Sequence, residues 1–432
     1  MSIVGKETKK RLIKDYRDYV SPYKTDVFES YGMDFIMGQR EGCTITDITG
    51  RKKLINCHSN GGVFNLGHRH PRIVSALKNA VETTDIGNHH FISQQRAELA
   101  RKLALLTPGD LNYSIFGVSG GEAIDLALKL ARGITQRNDI ICTIGGYHGH
   151  TGLALAAGDA QYRDPFGVYI PGFTYVPFND IEALKNKLGK RTAAVILETV
   201  QATAGIIIPS KEYIQEVRRL CDENGTLLIM DEVQTGLGRT GKFWGFEHFD
   251  IIPDMLVSGK GLSGGIYPMS VTMIREPYIK FFKEHPFIHV STYGGSELGC
   301  PVSLEVLKIT SNPAFLKHVN NMTALFKEGF EDLLKAFPGL LRSYSQLGLM
   351  QGLHFRNPDH GPLFTKVAYD VGLWAIYANN DTRSVQILPP LIIEPEEVKS
   401  VIKMMHRACR KLPLYNFLVK TDKFIKKISG KS

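Results

Sequence analysis

The chain has 432 residues and a formal net charge of +9, with 43% hydrophobic and 22% charged residues. That length exceeds one simple core and suits a large domain with smaller pieces, in an ordinary soluble composition. No apolar run approaches a membrane span, the first ten residues lack a signal core, and the six cysteines contain no Cys-x-x-Cys pair, a usage that fits reduced thiols in the cytoplasm better than a disulfide frame or zinc site.

Residues 1–60 predict an arm followed by short strands at 44–50 and 53–57. Asn65-Leu-Gly-His-Arg-His-Pro71 is a punctuated loop leading into a helix over 72–81. His68 and His70 have no third ligand nearby, so no metal is expected. Helices are predicted at 95–106, 122–133 and 213–221, and apolar strands at 113–117, 140–144, 193–197, 226–230 and 255–257. Strands without alternation, separated by helices, imply an α/β fold with a mostly parallel sheet covered on both faces. Ligands collect at the carboxyl ends of such strands. Beyond about residue 310 the pattern becomes a smaller α+β unit, with helices at 314–334, 362–375 and 394–410 and a strand at 347–355. The resulting division is 1–60, 61–310 and 311–432. Much of the positive charge crowds the tail, at Lys420, Lys423, Lys426, Lys427 and Lys431. With no aromatic-interleaved basic patch, the tail reads as a solvated end, and no nucleic-acid or membrane partner is expected.

The polar residues gather where the strands stop. Ser119, Gly120 and Gly121 open a helix and offer free N–H groups to a phosphate, although a Gly pair alone is an ordinary tight turn. Tyr147, flanked by glycines, could stack on a flat ligand or simply plug a loop. Glu198 ends another strand. Asp231 directly follows a five-residue apolar run, where an acid needs a cation, and Gln234 lies three residues on. Lys260 stands between two glycines. By itself it is a solvated loop lysine; with the other groups it completes the set a pyridoxal phosphate (PLP) site needs, a Schiff-base lysine with an acid for the ring nitrogen.

These motifs resemble the class III aminotransferases, the ornithine and ω-amino acid branch of the fold-type-I PLP enzymes. The resemblance rests on Leu228-Ile-Met-Asp-Glu-Val-Gln-Thr-Gly-Leu-Gly-Arg-Thr-Gly241 and Ser258-Gly-Lys-Gly-Leu-Ser-Gly-Gly265. Asn65–Pro71, Tyr147-His-Gly149 and Ser291-Thr-Tyr-Gly-Gly295 agree with it. It implies a seven-stranded type of sheet and a homodimer with the site at the interface. It also implies that Lys260 carries the Schiff base, Asp231 pairs with the ring nitrogen and Gln234 bonds the phenolic oxygen. Val233 and Tyr147 would hold the two ring faces, and Ser119, Gly120 and Gly121 the phosphate. Thr292 would reach the phosphate of the partner subunit. Glu198 and His148 would surround the cofactor, His148 as a structural rather than a catalytic group.

Two departures stand out. A glutamate usual in the 198–205 segment is Thr203, and an arginine usual three residues before Pro389-Pro-Leu391 is Gln386. Together they remove a carboxylate clamp; Arg383 is the nearby cation that a local shift could bring in. Thr199 replaces a common proline, and Gly121 a usual Ser or Thr. The expected activity is amino transfer from a primary amine or amino acid to a keto acid or aldehyde. A PLP lyase, racemase or aminomutase needs no second-substrate clamp and is the alternative. A non-catalytic scaffold has no need of Lys260, Asp231 and Tyr147. Loop placement makes Phe64 and His89, with His90 and Phe91, candidate substrate walls.

Overall fold

The computed structural model describes residues 3–167 and 169–428. The apolar runs assemble one seven-stranded sheet. Its order is Tyr113–Gly117, Ser270–Ile274, Met255–Ser258, Leu227–Asp231, Thr192–Glu198, Asp139–Thr143 and Phe173–Val176. The last five strands in that order pair parallel, while Ser270–Ile274 runs antiparallel to both its neighbours. Every residue of Thr192–Glu198, Leu227–Asp231, Met255–Ser258 and Ser270–Ile274 is buried. Helices on both faces explain why these strands are apolar throughout rather than alternating. Helix Gly120–Thr135 buries Ile124, Leu128 and Ala131 against one face. Helix Lys211–Asn224 buries Ile214, Val217 and Cys221 against the other.

The register decides where the chemistry goes. Glu198 pairs with Asp231, and Asp231 with Val257. Two carboxylates and the approach to Lys260 therefore end side by side at one edge.

The expected arm is a pair of helices, Lys6–Tyr19 and Pro22–Ser30. They precede strands Met37–Glu41, Thr44–Asp47 and Lys53–Asn56, whose sheet is completed by Leu373–Trp374 from the C-terminal part. A third sheet joins Leu341–Leu347, Met350–Phe355, Ser384–Ile387 and Ile376–Tyr377. Helices Pro313–Ala336, His360–Val371 and Pro395–Ile428 cover it. The basic tail lies outside the described residues, except for the helical backbone to Ile428. Among the described residues no helix is long and apolar enough to cross a membrane.

Candidate active site

Strand Met255–Ser258 ends one residue before a tight turn, Lys260–Ser263. Lys260 opens that turn at φ 40°, a left-handed conformation that costs a non-glycine residue about 1–3 kcal/mol. Ser263 braces it, its Oγ donating to the Lys260 carbonyl at 2.6 Å and accepting from the Gly265 N–H at 3.0 Å. Gly61 lies against the amine: a Cβ there would sit 3.6 Å from Lys260 Cε and 3.7 Å from Nζ. Burial lowers the pKa of Lys260, and the charges of Asp231 and Glu198 oppose that shift. A larger share of free amine makes a better nucleophile.

Asp231 is held on both oxygens. Oδ1 accepts from the Val233 N–H at 3.0 Å, and Oδ2 lies 2.8 Å from His148 Nδ1. His148 is buried, which disfavours its charge, yet its bond to Asp231 and the charges of Asp231 and Glu198 raise its pKa overall. Its Nε2 has no hydrogen-bond partner. Glu198 accepts from the Tyr147 N–H at 2.9 Å and the Ala202 N–H at 3.4 Å. Burial pushes its pKa up to about 7, against the opposing charge of His148 and with the like charge of Asp231.

Helix Gly120–Thr135 begins at this edge, capped by Ser119, whose hydroxyl accepts from the Glu122 N–H at 3.2 Å. The Val233 side chain fits between two glycines: a Cβ on Gly120 would come within 3.2 Å of it, and one on Gly259 within 3.5 Å. A Cβ on Gly121 would come 2.8 Å from Thr151 Oγ1. That hydroxyl occupies the space a Ser or Thr would use, which accounts for glycine at this place.

A cavity of about 150 Å³ brings together Gly120, Gly121, Tyr147, His148, Glu198, Asp231, Val233, Gln234 and Lys260. Gly149, Val200 and Thr235 join them without having been predicted. Also unpredicted is His58, held near pKa 4 by burial and the Lys260 charge; its visible signal was the neighbouring Gly61-Gly62 pair. The donor set fits PLP. The glycines leave a cradle at a helix N-terminus, Lys260 is enclosed, and the orphaned Nε2 of His148 shows a buried polar cluster not completed by protein groups alone.

Other predicted residues fall outside this lining. Thr292 is exposed on its own chain, as is His89, whose ring lies 4.1 Å from that of His90. Phe64 packs on His68, with ring centres 4.1 Å apart. Thr203 and Gln386 are tied into one cluster: Gln386 Nε2 donates to the Ala202 carbonyl at 3.3 Å. Asn380 bonds the Thr203 carbonyl at 2.9 Å and the Gly145 carbonyl at 2.7 Å, and accepts from Tyr162 Oη at 2.8 Å. Arg383 is exposed. Thr199, in place of proline, donates to buried Glu232 at 2.5 Å, a bond proline cannot make.

Residues 29–409 match the family model described as aminotransferase class-III. The chain is 51% identical over 398 residues to an uncharacterized aminotransferase of Archaeoglobus fulgidus, covering 92% of this chain and 93% of that one. It is 34% identical over 420 residues to a putrescine aminotransferase of Pectobacterium atrosepticum, covering 93% and 89%. The solved ornithine aminotransferase of Toxoplasma gondii shares the fold, with a TM-score of 0.86 at 24% identity over 94% of this chain and 96% of that one. This is PLP fold type I, and a second structure of that enzyme shows partial occupancy of PLP at its active site. The family match spans every residue of the cavity around Lys260, and the chain belongs to the class III aminotransferases, which are PLP-dependent enzymes.

Proposed function

We propose that this aminotransferase works through Lys260 and passes the amino group of a primary amine to an acceptor that needs no arginine clamp, pyruvate being the simplest. The observation that carries the reading is Lys260 itself, enclosed against Gly61 beside Asp231 and Glu198. PLP, when bound, supplies the aldehyde and the electron-withdrawing ring that let a C–H bond beside the amine ionise. The protein does the rest. Lys260 would provide the amine that holds the group and, once released, the base that moves the proton. Asp231, fixed by His148 and the Val233 N–H, would present its carboxylate to the ring nitrogen. Val233 and Tyr147 would hold the two faces of the ring, Gln234 would bond its phenolic oxygen, and Ser119, Gly120 and Gly121 would hold the phosphate at the helix start, where the dipole favours an anion. The neutral Thr203 and Gln386, with Arg383 exposed, support an acceptor with one carboxylate. The relatives named above are aminotransferases, which favours transfer over a lyase, racemase or aminomutase.

The same proposal includes a homodimer in which Thr292 serves the partner's site, a cytoplasmic location and the division into 1–60, 61–310 and 311–432. Six free, buried cysteines support the location. Separate core clusters in the central and C-terminal parts support the division. The test is Lys260→Ala. Nitrogen transfer from an amine to pyruvate should fall about 10⁴-fold or more, with loss of the visible absorbance of the bound cofactor. Turnover retained in this variant would remove Lys260 from the reaction.

A further inference from the structure

A cavity of about 670 Å³ lies under the two N-terminal helices, more than four times the volume enclosed at Lys260. We propose that it is the distal part of the substrate site and takes the uncharged apolar tail of the amine donor, a proposal that rests on the aminotransferase reading above.

The first support is its shape and lining. Helix Lys6–Tyr19 buries none of its residues fully, although the half-buried Leu12 and Ile13, with the exposed Tyr16, border the cavity. The helix therefore roofs a space instead of packing on a core. Below it stand Phe28, Met33, Phe35, Leu54 and Trp374. A volume of this size is typical of small-molecule sites, and such walls gain by excluding water from a hydrocarbon chain. The acids of the lining are already paired, Asp34 with Lys9 at 2.9 Å and Glu29 with Arg17. A cationic tail would have to displace one of those bases, so an uncharged tail fits better.

The second support is continuity with the lysine. Asn60 lines the large cavity, and a Cβ on the next residue, Gly61, would sit 3.7 Å from Lys260 Nζ. One dipeptide thus lies between the large cavity and the Lys260 side chain. Ser59, Asn60, Gly61 and Gly62 have φ of 52°, 50°, 65° and 97°. Such left-handed backbone is costly at the two non-glycine positions and persists only where surrounding structure imposes it. Here it turns Asn60 to one side and leaves position 61 without a side chain at the amine. In the proposed arrangement the tail of a donor at Lys260 passes the bare backbone of Gly61 to reach the apolar walls.

The holoenzyme tests this with pyruvate and a series of propylamine, hexylamine and octylamine. Each buried methylene should raise kcat/KM about fourfold. In Leu12→Trp and Met33→Trp, which fill the cavity from two different elements, the octylamine-to-propylamine ratio of kcat/KM should fall at least about tenfold. A binding readout free of turnover is Trp374 fluorescence during titration with 1-octanol, which has no amine. It should change saturably in the native chain and not in Trp374→Phe. A flat chain-length series with propylamine well used overturns the proposal and leaves the aminotransferase reading intact. No turnover of any amine with any keto acid, alongside a saturable octanol response, overturns that reading while keeping the apolar site. No octanol response overturns the site itself. If filling the cavity changes the mass in light scattering instead of the ratio, a second copy occupies it and the proposal fails.

Discussion

Glu198 and Asp231 pair in register at the ends of neighbouring strands, yet their partners differ. Asp231 faces His148, whereas Glu198 accepts only backbone N–H groups and has a pKa of about 7 against an ordinary 4.5. Between those values the folded chain keeps a proton that the unfolded chain has lost, so stability falls as pH rises through the window. Glu198→Gln keeps the shape and one acceptor but not the titration. In cofactor-free protein, urea unfolding should show the native chain losing up to about 3 kcal/mol relative to Glu198→Gln between pH 4.5 and pH 8. An equal pH profile for both would show that Glu198 does not titrate there. Gln386 and Thr203 are likewise a matter of two side chains. Gln386→Arg with Thr203→Glu restores a clamp, and kcat/KM with 2-oxoglutarate should rise at least about tenfold over pyruvate, as expected of a charge-assisted bidentate contact. An unchanged ratio would sink the clamp argument. Both of these positions were visible as departures in the sequence. The bonds from Asn380 to Thr203 and Gly145 were not, because residues 177 and 235 apart carry no local pattern.

At the scale of elements, the start of helix Gly120–Thr135 shows how one substitution is absorbed by another segment. Thr151 Oγ1 would lie 2.8 Å from a Cβ on Gly121, so glycine here and threonine there form one solution. Gly121→Ser alone should weaken PLP binding about tenfold, because overpacking at this place costs on the order of 1–3 kcal/mol. Adding Thr151→Ala should restore most of it; fluorescence titration of the cofactor-free protein measures both. Failure of the second change to rescue the first would mean that the two do not share the space. Strands such as Leu227–Asp231 were legible because burial on both faces leaves an unbroken apolar run. Ser270–Ile274 was not, since Ser270 and Thr272 interrupt the run; Thr272 Oγ1 is buried only because it donates to the Ala123 carbonyl at 2.8 Å. The two N-terminal helices were missed for a related reason. Lys6–Tyr19 has no fully buried residue, so its apolar stripe is thin and reads as a polar arm.

For the whole molecule, several large apolar side chains stand exposed. Phe287 and Tyr293 are 77% and 58% exposed, and Ile92 is fully exposed. The segments of Tyr293 and Ile92 touch, since the Glu297 N–H donates to the Ile86 carbonyl at 3.2 Å. Exposed apolar side chains gathered in this way mark an interaction site. Thr292 sits inside it, exposed and absent from the lining of its own cavity. A second copy seated on this face would cover the patch and carry Thr292 toward the opposite site, which supports the proposed homodimer. Phe287→Asp combined with Ile92→Asp places two charges where the copies would meet, and leaves the cavity at Lys260 untouched. Light scattering should then report a monomer at concentrations where the native chain is a dimer. PLP affinity should fall about tenfold as the contribution of Thr292 is lost, the size of one charge-assisted hydrogen bond. Thr292→Ala should lower the affinity to the same extent while the dimer persists. A dimer that survives the two aspartates would place the interface elsewhere. A monomer with native PLP affinity would show that each subunit completes its own phosphate site, and that Thr292 is exposed for another reason.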